Sequence, residues 1–186
     1  MIAASQICQM ARLSVGDAGR TTYSDYEVMT ALQSSLDLLV ISCDEYFSPL
    51  LIKSAELELP AGRAALPEDF RSVVSVLVPR GAALGSNYET GPFRGEFRFE
   101  NSEIVSPEPR VTLTYRYRPA RLTAIDDEID APEVLLLPLA RMTAALLKGD
   151  FETAQTVSDR TAQAGKTQRW ENAGEPKLWG GYEQNV

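Results

Sequence analysis

Apolar side chains near the start of the chain recur at alternating steps of three and four. Met29, Leu32, Leu36, Leu39, Cys43 and Tyr46 form one such stripe, the signature of a helix face buried against another element. Asp37, Asp44 and Glu45 fall off it. Ser24 followed by Glu27 makes a capping box that satisfies two orphan donors at a helix start. A helix is therefore predicted over 24–47, closed by Pro49, which disfavours the helical conformation of Ser48. A shorter helix is predicted over 2–14, with Ile2, Gln6, Met10 and Leu13 near one face and Gly16 and Gly19 as its breakers.

The period then changes to two. Ala55, Leu57 and Leu59 alternate with Glu56 and Glu58, which predicts a half-buried strand closed by Pro60. The segment 61–70, AGRAALPEDF, reads as a turn-rich link. SVVSVLV at 72–78 carries a β-branched run and reads as a strand buried on both faces. Residues 81–92 have two Gly-containing clusters and no period, so they are predicted to be a loop. Phe97 and Phe99 alternate with Arg98, and Val111, Leu113, Tyr115 and Tyr117 with Thr112, Thr114, Arg116 and Arg118. These two runs are predicted to pair antiparallel, joined by NSEIVSPEPR, whose prolines blunt an edge.

Helix returns after the acidic segment AIDDEIDAPE. Pro132 suits a first turn, and Asp130 and Glu133 suit the positive end of a helix dipole. The helix predicted over 132–148 is apolar nearly all round, so it should be the most buried element, kinked at Pro138. Gly149 stops it. Asp150 restarts a helix over 150–165 with Phe151, Ala154, Val157 and Thr161 on one face, so the pair reads as an αα-hairpin. From Lys166 the apolar period disappears, and residues 166–186 read as an extended polar arm containing Trp170, Leu178, Trp179 and Tyr182. The expected organisation is one α+β domain over 1–165, a helical bundle with a small antiparallel β insertion at about 53–118, followed by that arm.

Composition narrows the chemistry. A chain of 186 residues can bury roughly 70% of its unfolded surface, so no disulfide or metal has to hold it together. No apolar run is long enough to span a bilayer. The opening MIAASQICQMARLSVGD lacks a basic segment followed by an apolar core, so assembly in the cytoplasm is expected. Cys8 and Cys43 are too far apart for a redox or zinc motif, and the sequence has no histidine. That absence removes Ser-His-Asp and Cys-His nucleophile activation. Asp126, Asp127, Glu128 and Asp130 invite a metal reading, yet they lack the glycine and terminal glutamate of a calcium loop and fit a solvated helix entry. Glu68 with Asp69, or Glu56 with Glu58, could form a carboxylate pair, whose separation sequence cannot show. No cofactor is expected.

The net charge is −8, yet Arg71 to Arg121 holds eight Arg against five Glu. By alternation Arg98, Arg116 and Arg118 would share a face able to follow a phosphate backbone, or simply to pair with Glu96 and Glu100. Trp and Tyr dominate interface hot spots, so Trp170, Leu178, Trp179 and Tyr182 are the candidate anchors for a partner.

The order of these segments resembles a known family. A capped helix is followed by LPEDF at 66–70, then YRYRPARLT, the acidic IDDEIDAPE, a buried helix, and a last helix opening GDFETAQ. Over roughly residues 20 to 165 this is similar to the head-to-tail adaptor, or connector, proteins of tailed bacteriophages. The resemblance implies a noncatalytic virion subunit at the neck, a twelvefold ring beneath the portal protein that extends the DNA channel and receives the next tail or nozzle protein. Packaged DNA would pass without sequence specificity, and no membrane is involved. The rival readings are a carboxylate-dependent phage hydrolase and a nucleic-acid module using the Arg face.

Overall fold

The computed structural model describes residues 1–78, 85–86 and 96–172, with the backbone alone for 85–86, 96 and 167–172. In chain order the elements are β1 (Ile2–Ala3), α1 (Ala4–Ser14), α2 (Asp25–Glu45), β2 (Ile52–Glu58), β3 (Arg63–Ala65), β4 (Phe70–Leu77), β5 (Gly85–Ser86), β6 (Glu96–Glu100), β7 (Glu103–Val105), β8 (Arg110–Tyr117), β9 (Glu128–Ile129), α3 (Leu136–Leu147) and α4 (Phe151–Asn172). The fold is α+β, as predicted. It divides into two compact units, a helical one comprising Met1–Leu50 and the chain from Arg121 onward, and a β unit comprising Leu51–Ala120.

In the helical unit, α2 starts at the expected capping box. The Glu27 amide donates to Ser24 Oγ at 3.2 Å, and the Ser24 amide donates to the Glu27 carboxylate at 2.7 Å. Leu32, Leu36, Leu39 and Cys43 are buried as the stripe predicts. Val28, Ala31, Ser35, Val40 and Ser42 are buried as well, because α2 packs on both α3 and α4.

α3 is the central helix, packed against α1, α2 and α4. A 3-10 turn at Glu133–Leu135 precedes it, which makes Pro138 only its third residue. Amides of a helix's first turn have no intrahelical acceptor, so proline there breaks no bond. The kink expected in mid-helix is instead a 3-10-to-α junction ahead of Pro138.

α4 buries a different face from the one predicted. Phe151 is 59% exposed, and the buried line is Ala154, Ser158, Ala162 and Gly165. Small side chains allow close approach: a Cβ at Gly165 would lie 2.6 Å from Leu50 Cγ. Polar groups fix the register of the packed helices. Ser42 Oγ donates to Asp159 Oδ1 at 2.7 Å and accepts from Ser158 Oγ at 2.8 Å, and Ser35 and Thr143 hydroxyls meet at 3.2 Å. The helix continues to Asn172, so Trp170 is helical. KTQRWEN has no apolar period, but it also contains no glycine or proline to stop a helix already propagating.

α1 also turns another face inward. Ala4, Ile7, Cys8, Ala11 and Arg12 are buried, whereas Leu13 is exposed. The reason is the buried guanidinium of Arg12, which donates to Asp17, to the Tyr23 carbonyl at 2.7 Å and to Asp25 at 2.7 Å. Asp17 in turn accepts from the amides of Thr21, Thr22 and Tyr23 at 2.8, 2.9 and 3.2 Å. Ahead of α1, Ile2 pairs with Ile129.

In the β unit, β8 is the centre of an antiparallel sheet ordered β2-β8-β4, and the second sheet is ordered β3-β7-β6-β5. The alternation in β8 holds, with Val111, Leu113, Tyr115 and Tyr117 buried. The predicted pairing of 96–100 with 111–118 does not hold. β6 pairs antiparallel with β7, Phe99 opposite Ile104, through Asn101 and Ser102, both at positive φ. A two-residue turn in the left-handed region favours local hairpin pairing, and it leaves β8 free for β2 and β4. β4 is likewise an edge strand, with Val76 buried but Val74 41% exposed, so it is not covered on both faces. Aromatic rings join the two sheets: Phe70 lies 5.6 Å from Phe99 and 5.7 Å from Tyr115.

Candidate functional site

Of the residues nominated for chemistry, Asp127, Asp69 and Glu58 are engaged in holding the fold. Asp127 accepts from the Thr123 amide at 2.6 Å and the Ala124 amide at 2.9 Å, and those bonds, with the Thr123 hydroxyl, hold its carboxyl below the ordinary range. It closes the loop that enters β9. Among the described residues no group of three His, Cys, Asp or Glu is placed to hold a metal ion. Asp69 binds Lys53 Nζ at 2.6 Å and accepts from Tyr115 Oη at 2.9 Å, while Glu58 pairs with Arg110 at 2.6 Å. Burial pushes the Cys8 thiol up to about 11, so it stays protonated at neutral pH and is a poor nucleophile.

The three arginines do not form one face. Arg98 is exposed on β6, donating to Glu100 of the same strand, and belongs to a different sheet from β8. Glu100 also receives Arg63, at 3.3 Å. Arg116 is half-buried on β8, and Arg118 follows that strand, its amide donating to the Asp69 carbonyl at 3.0 Å. Of the four anchor candidates, Trp170 lies in α4, and Leu178, Trp179 and Tyr182 lie outside the described residues.

A surface that the periodicity did not single out lies on the helical unit. Leu50, the 3-10 turn with the start of α3, and the second half of α4 enclose a groove of about 290 Å³. Val134 and Leu137, 54% and 47% exposed, stand in one wall, and Val157, Thr161 and Ala164 in the other. Arg141 and Arg160 border it, both exposed and without an ion pair among the described residues. The signal was present in the sequence. α3 is apolar nearly all round, more than a helix with three neighbours can bury, and the excess faces this groove.

Four carboxylates of the helical unit are held below their ordinary range by hydrogen bonds. Asp17 is held chiefly by the Thr22 amide, Glu27 by the Ser24 hydroxyl, Asp127 by the Thr123 amide and Asp150 by Thr153. Each fastens a loop or caps a helix.

No described helix is long and apolar enough to cross a membrane. Comparison with curated proteins finds no match. The SU10 adaptor protein family model matches residues 3–175, taking in the whole β unit and every described helix, and the chain belongs to that family of bacteriophage adaptors.

Proposed function

We propose that this chain is a structural, noncatalytic subunit of the virion neck, assembled in the host cytoplasm as a ring of copies, twelve by the resemblance, between the portal protein and the next tail or nozzle protein. The observation that carries the reading is the family match, continuous through both units. Charge supports the channel part. The β unit has nine basic and nine acidic residues, so the net charge of −8 belongs entirely to the helical unit. A polyanion such as packaged DNA slides past an acidic wall, because phosphate adhesion needs clustered cations. In this reading Trp170, Leu178, Trp179 and Tyr182 dock on the portal or a neighbouring subunit, and Arg98, Arg116 and Arg118 serve contacts to neighbours or to passing DNA.

Portal-bearing heads made without the adaptor test this. The full chain should bind them and restore tail joining, and a chain ending at Asn172 should keep its helical circular dichroism yet fail to attach. Cell-wall hydrolysis by the purified chain would instead favour the hydrolase reading.

A further inference from the structure

The groove on the helical unit and the outer face of α2 complement one another, and they lie on opposite sides of one body. α2, α3 and α4 pack pairwise, so their axes form a triangle. No residue of α2 lines the groove, which places it on the side of the α3–α4 seam away from α2. The α2 residues buried in the triangle run from Val28 to Cys43. They leave Tyr26, Thr30, Ser34, Ile41 and Glu45, at steps of four and seven, exposed on the face that points the other way.

Charge and polarity match as well. α2 carries five carboxylates, Asp25, Glu27, Asp37, Asp44 and Glu45, and no basic residue. The groove is lined by Arg141 and Arg160 and by no acid. Of the charges next to its lining in sequence, Glu133 and Lys166 cancel, and Asp159 is held by Ser42 and Gln155. Glu45 is exposed in the last turn of α2, at the negative end of the helix dipole, with no cation in that turn, a placement that costs stability until a cation is supplied. One turn back, Ile41 is 53% exposed. The Thr30 and Ser34 hydroxyls donate to carbonyls of their own helix at 2.8 and 2.9 Å, so burying them strands no donor.

We propose that the outer face of α2 in one copy of the chain seats in the groove of the next, with Ile41 against Val134, Leu137 and Val157 and Glu45 paired with Arg141 or Arg160. Because ridge and groove are different patches, the contact is head-to-tail, the kind that forms a ring when its rotation closes. Its role as the joint of the neck ring rests on the adaptor reading, whereas the contact itself rests on the two surfaces.

Disulfide trapping in solution tests the contact without heads. The native thiols Cys8 and Cys43 are buried, so a chain carrying Ile41→Cys and a chain carrying Leu137→Cys each expose one reactive thiol. Mild oxidation of the mixture should give a dimer joining one chain of each kind, far more efficiently than either variant links to itself. Glu45→Arg on the Ile41→Cys chain should lower the yield several-fold, and Arg141→Glu with Arg160→Glu on the Leu137→Cys chain should restore it. All five positions are exposed, and circular dichroism should stay unchanged throughout. No mixed dimer, self-linking as efficient as the mixture, or a yield indifferent to Glu45→Arg would each overturn the proposal. Failure of the full chain to bind portal-bearing heads would instead overturn the adaptor reading.

Discussion

The two units use charge and polarity in opposite ways. In the β unit opposite charges balance, and apart from the half-buried Lys53–Asp69 pair their ion pairs sit at the surface: Arg63 with Glu100 and Glu103, Arg98 with Glu100, Arg110 with Glu58. Exposed pairs of this kind contribute little to stability, so the unit is held by its ladders and by the Phe70–Phe99–Tyr115 rings. In the helical unit, which carries the whole excess of negative charge, polar groups are buried and multiply bonded. Arg12 with Asp17, and Ser42 with Ser158, are buried, and Ser42 also donates to the half-buried Asp159. Breaking such buried bonds is costly, so they fix how these helices and the loop from Asp17 to Tyr23 pack. A rigid acidic body joined in sequence to a charge-balanced sheet suits an adaptor that meets different surfaces.

Substitutions can break this contrast, the strongest in the helical core. Leu36 is buried on α2. Leu36→Asp would strand an unpaired charge there, at a loss of about 4 kcal/mol or more, so unfolded or aggregated protein is expected. A soluble variant with unchanged melting would mean that the stripe is an interface instead of core.

Arg12→Met comes next. It leaves Asp17 buried without its cation and releases the Tyr23 carbonyl, so the melting temperature should fall by roughly 10 °C. Scanning calorimetry showing a shift within error would remove the Arg12 cluster from the account.

Acid sharpens the contrast further. Asp17, Glu27, Asp127 and Asp150 bind protons more weakly folded than unfolded. Their contribution is therefore complete above the unfolded carboxylate range and is lost as pH falls below about 4. Helical circular dichroism followed from pH 7 to pH 2 should show that loss, and Asp17→Asn should flatten it while lowering stability at pH 7. An unaltered acid profile in Asp17→Asn would contradict the assignment.

The smallest effect is expected in the β unit. Arg98→Ala should change stability by no more than about 0.5 kcal/mol, measured by urea titration. A larger loss would show that the surface pairs matter more than their exposure implies.

What could be read from the sequence follows the same division. α2 was legible because its signals are local, a cap at Ser24 and Glu27 and branched apolar residues from Leu32 to Cys43. The buried face of α4 was not, because it is made of Ala154, Ser158, Ala162 and Gly165, residues whose size matters more than their hydrophobicity. Arg12 reads as surface in any periodic analysis, yet it organises the loop from Asp17 to Tyr23. Strands of the β unit could be found by alternation, but partner choice is not local. The three residues of β7 were too few to register, and without them β6 had only β8 to pair with. The groove escaped notice because Val134 and Leu137 look like core residues in sequence. The anchors Leu178, Trp179 and Tyr182 remain a proposal from composition alone.

The adaptor role itself is tested most directly by imaging. Purified chain added to portal-bearing heads that lack it should appear in electron micrographs as a ring of density at the portal vertex, on every head that has gained the capacity to join a tail. Heads that join tails with no added density at that vertex, or chain bound elsewhere on the capsid, would contradict the account.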